Sequence, residues 1–349
     1  MSHSTICIIL MAAIVSAAGS VTAGPKAILR DAPEVKLPSP VDCNSPSFWV
    51  GDTFYVLTST NQGPRRMKGS DQFHLGEPEE IKFDNKVDGW RWIECVWQAD
   101  DGVLYGFYHH EFYVCPGTYL TAPEIGAAKS TDNGLNWTDL GTVVKARPNT
   151  IDCKSTNIFF AGGNGDFSVM LDKKKQYLYL YYTTYAGELS EMGVAVARMS
   201  WKDRDNPVGK FHKYYKGKWE EAGLGGLVTP IFPSNSTWMK KSVDGFWGPG
   251  IHWNTYLKQY VILMNRAVGE PKWPQEGVYI SYSGSLSDPS KWTKPERIHE
   301  GGRWYPGVIG LTAKDKPTDK LCAKQARFYM RGGSNDEIVF FKDGEDTTK

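Results

Sequence analysis

Two carboxylates open the chemical reading. Glu94 stands in Trp92-Ile93-Glu94-Cys95-Val96-Trp97 and Asp166 in Gly165-Asp166-Phe167-Ser168-Val169-Met170, each at the head of a β-type run. A carboxyl pair does acid–base or nucleophilic work when one member is kept protonated by burial while the other stays ionised. The tryptophans around Glu94 predict the desolvated acid. Asp166 follows Gly163-Asn164-Gly165, whose free amides predict a base, nucleophile or charge stabiliser. Tyr108-His109-His110-Glu111 follows the Glu94 run. Alternation along a strand sends the two histidines to opposite faces, so at most one reaches a shared pocket. His110 is taken as the acid–base candidate beside Glu94, and Glu111 as a ligand contact. A His/Tyr pair, His110 with Tyr108, would instead suit β-elimination.

Four arginines extend the list. Arg91 and Arg303 recur in Gly89-Trp90-Arg91-Trp92 and Gly302-Arg303-Trp304, and Arg266 and Arg331 end two apolar runs. Guanidinium groups bind carboxylates and sulfates bidentately, which predicts an anionic ligand. Trp92, Trp247 and Trp304 offer apolar ring faces for stacking.

The elements that must position these residues are short strands. No long amphipathic helix is visible; aromatic or alternating runs recur, each closed by a turn signal such as Asp100-Asp101-Gly102 or Asn254-Thr255-Tyr256. Five units align. Their first strands open at Asn44–Trp49, Trp92–Trp97, Gly165–Met170, Trp247–His252 and Trp304–Ile309. Their second strands cover Thr53–Thr58, Val103–Tyr108, Tyr177–Tyr182, Tyr260–Met264 and Ala326–Met330. Repetition of this kind predicts an all-β, five-bladed β-propeller, one domain over residues 24–349. In such blades the start of strand one and the end of strand two share a face near the axis, which gathers the candidates at one mouth. Ser130-Thr131-Asp132-Asn133-Gly134-Leu135-Asn136-Trp137 matches the Asp-box of sialidase-type propellers, a hairpin in which Asp132 accepts turn amides and Trp137 packs on the blade.

Composition narrows the partners. Forty basic against 39 acidic residues, net +1, give no electrostatic footprint for nucleic acid or a membrane surface. Ile6–Val15 followed by Val21-Thr22-Ala23 reads as a signal peptide over residues 1–23, so a secreted or periplasmic, monomeric protein is expected. Of six cysteines Cys7 leaves with that segment; the remaining five leave at least one thiol unpaired within the chain.

With these motifs the chain resembles the five-bladed propeller glycoside hydrolases, the arabinanase, β-xylosidase and invertase group, and most nearly a set of secreted bacterial propellers carrying Arg-Trp-Ile-Glu and Gly-Asp-Phe-Ser-Val. The group's blades one, three and four open with Asp-Pro-Ser, Asp-Pro-Ser-Val-Phe and Glu-Gly-Pro. Here they read Ser45-Pro46-Ser47, Asp166-Phe167-Ser168-Val169-Met170 and Trp247-Gly248-Pro249. Asp166 alone keeps its carboxylate; the base position is Ser45 and the acid position Trp247. The resemblance implies an oligo- or polysaccharide ligand in a central pocket and hydrolysis of its O-glycosyl bonds. Glu94, Asp166 and His110 would be the catalytic candidates, with Arg91, Glu111, Arg266, Arg303, Arg331, Trp92, Trp247 and Trp304 on the substrate. The losses at Ser45 and Trp247 keep open a non-catalytic carbohydrate-binding propeller, and the His/Tyr pair a polysaccharide lyase. No cofactor or catalytic metal is expected; the resemblance allows only a central-channel calcium near His252.

Overall fold

The computed structural model describes residues 24–311 and 315–347; residues 1–23, read from the sequence as a signal peptide, lie outside them. Five mainly antiparallel sheets succeed one another along the chain, arranged as the blades of a propeller. Their innermost strands are Ser47–Val50, Trp90–Gln98, Asn164–Leu171, Val243–Asn254 and Pro306–Gly310. The second strands are Thr53–Thr60, Leu104–Glu111, Tyr177–Thr184, Gln259–Gly269 and Gln325–Met330. The repeat read from the sequence is therefore the repeat of the fold. The ring closes through its first strand: Lys26–Lys36 pairs antiparallel with Gly333–Phe341 and becomes the outermost strand of blade five. A sheet edge left by the last blade is thereby covered.

The core lies between blades. Phe107, Ile125 and Tyr105 of blade two pack on Phe167, Leu178 and Leu180 of blade three, whose other face meets Ile251 and Ile262 of blade four. The inner strand Asn164–Leu171 is buried along its whole length, so nothing on it can be polar without a partner. Packing also fixes the Ser130–Trp137 hairpin. Asp132 Oδ1 accepts from the amides of Leu135 (3.2 Å) and Asn136 (2.9 Å), Gly134 sits at φ +80°, and Trp137 donates to Gly134 O (2.9 Å). Trp137 covers Gly106, where a Cβ would stand 2.5 Å from the indole.

One irregularity recurs where the inner strands face the axis. The register slips at Glu94 in blade two, at Asp166 in blade three and at Gly248-Pro249 in blade four. A β-bulge leaves one residue unpaired and re-aims its side chain. Asp166 takes φ +43°, a backbone state costly for a residue with a Cβ and held here by the bulge.

Candidate active site

The bulges aim Glu94 and Asp166 into one cavity of about 560 Å³, lined also by Asp42, His109, Glu111, Phe159, Phe160 and four tryptophans, Trp92, Trp247, Trp273 and Trp304. Asp42, Trp92, Glu111, Phe159 and Phe160 also line a wider funnel of about 1480 Å³ outside it.

The floor is a hydrogen-bonded cluster. Glu94, only 1% exposed, accepts from the Phe167 amide through Oε2 (2.8 Å) and faces His109 Nδ1 through Oε1 (3.1 Å). His109 Nδ1 also lies 3.2 Å from the Asp166 amide, and its Nε2 lies 3.4 Å from Glu111 Oε1. The ring fits against blade three because residue 165 is glycine: a Cβ there would come within 2.4 Å of His109 Cε1. Asp166 Oδ2 accepts from the buried Tyr185 hydroxyl.

The charges follow from burial and crowding. Burial above all raises the Asp166 carboxyl, opposed by His109 and Tyr185 and supported by Glu94 and Glu111, to about 7. Burial works against the His109 cation, but Glu111, Glu94 and Asp166 outweigh it and hold its pKa well above the ordinary imidazole value. Burial likewise raises Asp42, partly offset by Arg331. Glu94, His109 and Asp166 offer ligand atoms within 4.8 Å of one another, a spacing a divalent cation can span.

The sequence candidates divide. Glu94, Asp166, Glu111, Trp92, Trp247 and Trp304 share the cavity, and Arg303 and Arg331 stand on the outer funnel. His110 does not. It turns to the other face of its strand, 2.8 Å from Asp88 O and 3.4 Å from Glu124, and His109 takes the pocket position. Arg91 turns away as well, buried over Phe83 (4.4 Å) and Tyr108 (5.0 Å) and bridged to Asp139 at 3.0 Å. Arg266 is bound by Asp244 at 2.9 Å. A converging cluster of four arginines is therefore absent, since two are neutralised by acids within their own blades. Burial raises the pKa of Asp166, the carboxyl read from the sequence as base, nucleophile or charge stabiliser. His252 is buried beside Lys320; burial and that ammonium drive its pKa down to about 3.

Trp273, Phe159 and Phe160 were not foreseen. Trp273 lies between Pro271 and Pro274 in a loop of blade four, and the two phenylalanines directly precede Ala161-Gly162-Gly163 at the entry to blade three. A loop aromatic hemmed in by proline or glycine is the one signal that marks them.

No protein-family model matches the sequence, and neither does any curated protein sequence. Solved structures share the fold. An endo-arabinase from Bacteroides thetaiotaomicron superposes with TM-score 0.51 at 14% identity, over 88% of this chain and 97% of that one. A thermostable family-43 glycoside hydrolase gives 0.52 at 11% identity, over 89% and 94%. An exo-β-1,3-galactanase from Phanerochaete chrysosporium, bound to β-1,3-galactotriose, gives 0.50 at 11% identity, over 90% of this chain and 64% of that one. The chain has the five-bladed propeller fold of these glycoside hydrolases.

Proposed function

We propose that this chain is an exported, monomeric glycoside hydrolase that cleaves a glycan in the cavity on the propeller axis. The observation that carries the reading is the carboxyl pair: Glu94 and Asp166, on the bulges of neighbouring blades, have oxygens within 4.8 Å of each other in an aromatic-walled cavity. Export rests on the Ile6–Val15 run and the small residues after it.

In this reading Asp166 is the acid. Its raised pKa keeps a proton available near neutrality, and Tyr185 fixes the carboxyl by donating to Oδ2. Glu94 is the nucleophile, oriented by the Phe167 amide and His109. Carboxyl groups roughly 5 Å apart suit double displacement with retention, whereas inversion needs about 6.5–9.5 Å to admit water. The sugar then leaves with its anomeric configuration unchanged. An anionic glycan, expected from four arginines, has support only at the rim, from Arg303, since Arg331 is itself bridged to Asp42 at 3.1 Å; the cavity carries four carboxylates and no arginine.

The test is a panel of plant and microbial polysaccharides assayed for new reducing ends, with Glu94→Gln and Asp166→Asn beside the parent. Turnover should fall by at least about 10²-fold in each variant, the low end for losing acid–base help. Undiminished turnover in both would remove the pair from the mechanism. Glycan binding without any turnover would instead favour the binding-propeller reading, to which Ser45 and Trp247 already lend weight. The lyase reading loses its residues: His110 faces away and the Tyr108 hydroxyl donates to Asp139 at 2.7 Å.

A further inference from the structure

A second aromatic surface continues outward from the cavity. Trp92, in the cavity wall, lies 6.3 Å from Trp90; Trp90 lies 5.3 Å from Tyr113, and Tyr113 lies 5.9 Å from Tyr119. All four line the funnel. Tyr113 is 53% exposed, Tyr119 80% and Ile158 beside them 51%. Most large apolar side chains of this protein are buried, and a cluster of exposed ones marks a surface that meets something.

The segments that carry these rings are braced. The first follows the second strand of blade two and the other leads into blade three. Cys115 and Cys153 join them by a disulfide. Backbone bonds run from Thr121 N to Phe159 O (3.1 Å) and from Ala161 N to Thr121 O (2.7 Å), and Cys115, Leu120 and Ala161 form a small core beneath. None of this is needed to close a blade. Its visible effect is to hold Tyr113, Tyr119, Ile158 and Phe159 at fixed positions along the funnel.

We propose that Trp90, Tyr113 and Tyr119 are outer sugar-binding subsites, so that the ligand is a glycan chain of several units whose end enters the cavity. The occupant is fixed by continuity: whatever seats a sugar against Trp92 must lead the rest of its chain along these rings. Aromatic faces take the apolar C–H face of a sugar ring, and the neighbouring polar groups take its hydroxyls. The inference rests on the carbohydrate reading of the cavity, not on catalysis.

A glycan array carrying length series of β-1,3-galactans, arabinans, xylans and uronic-acid polymers tests it with three proteins. The intact chain should bind one series with affinity that grows with length. Tyr113→Ala/Tyr119→Ala should lose roughly tenfold on the longest member, the loss of two aromatic contacts, and remain unchanged on the shortest. Cys115→Ser/Cys153→Ser, with an unaltered far-ultraviolet spectrum, should move in the same direction. Length-independent binding by the intact chain, or a length preference that survives the double tyrosine substitution, overturns the inference while leaving the cavity's reading intact. No binding to any glycan overturns both.

Discussion

Two buried polar clusters stand near the propeller axis, built largely by the same inner strands a residue or two apart. In the upper one Glu94, His109 and Asp166 face a cavity. Several carboxylates compete for one imidazole there, and His109 Nε2 has no well-formed hydrogen bond. In the lower one Lys320, from the loop between the first two strands of blade five, bridges Asp319 at 2.9 Å. It donates to Ser168 at 2.9 Å and lies 3.8 Å from the Cys95 thiol. Asn44 completes it, donating to Phe167 O (2.8 Å) and Pro249 O (3.2 Å) and so tying blades one, three and four together. Glu94 and Cys95 are neighbours in sequence; Asp166 and Ser168 are two apart. Burial and polarity alone do not distinguish machinery from scaffold. What distinguishes them is whether charge and hydrogen bonds are already balanced: the lower cluster is compensated by its own pair, while the upper one leaves capacity turned toward open space.

The sharpest way to break that contrast is to unbalance the lower cluster. Lys320→Met keeps the stem but leaves the part-buried Asp319 with only its hydrogen bonds from Ser47, and stability should fall by about 3 kcal/mol, the low end for breaking a buried pair from one side. Chemical denaturation measures it. Glycan binding at the cavity, below the melting range, should be unchanged. A variant as stable as the parent would mean the lower cluster is not the scaffold described.

The upper cluster should respond to pH in a direction that can be worked out. The folded pKa of Asp166, about 7, lies above its unfolded value near 3.8, so the folded chain binds the extra proton between them. Its contribution is fully present below the unfolded value and is lost as pH rises toward and through 7. The parent should lose stability relative to Asp166→Asn between pH 5 and pH 8, since the amide has no charge to desolvate. Melting temperatures of the two proteins across that window measure the difference; a gap that closes with rising pH in the parent's favour would contradict the assignment.

How much of this was legible in the residues depends on what each depends on. Strand starts repeat because every inner strand must begin with a bend near the axis. The glycines, prolines and carboxylates that permit it recur at five sites, and the architecture follows. Trp92, Trp247, Trp304, Glu94 and Asp166 were legible for the same reason. The arginines misled because their partners, Asp139 and Asp244, sit on strands 48 and 22 residues away in sequence, and no local pattern announces those pairs. Lys320, Trp273 and the Phe159–Phe160 pair come from connections whose course the repeat does not dictate. The orientation of Asp166 depends on its positive φ and the amide it turns toward His109, a property of the bulge and not of composition.

The smallest effect comes from the finest contrast, two adjacent histidines. Both sit at the end of the second strand of blade two, and both have a carboxylate at hand. His109 lies 3.1 Å from Glu94 on the cavity side, 4% exposed, with an edge-on contact to Trp92. His110 lies on the opposite side, against Phe112 and the Asp88 carbonyl, where its removal reaches nothing that touches the cavity. Loss of a hydrogen bond to a charged group is worth about 1.5–3 kcal/mol, so His109→Gln should lower turnover by roughly ten- to a hundredfold. His110→Gln should leave it within about threefold, the scale of a surface change. Glutamine preserves length and polarity at both sites, so a difference in rate between the variants reports the face on which each ring lies. Equal losses would mean that strand alternation, and not burial against Glu94, has been given too much weight. A larger loss at His110 would return the acid–base assignment to the residue that the sequence first suggested.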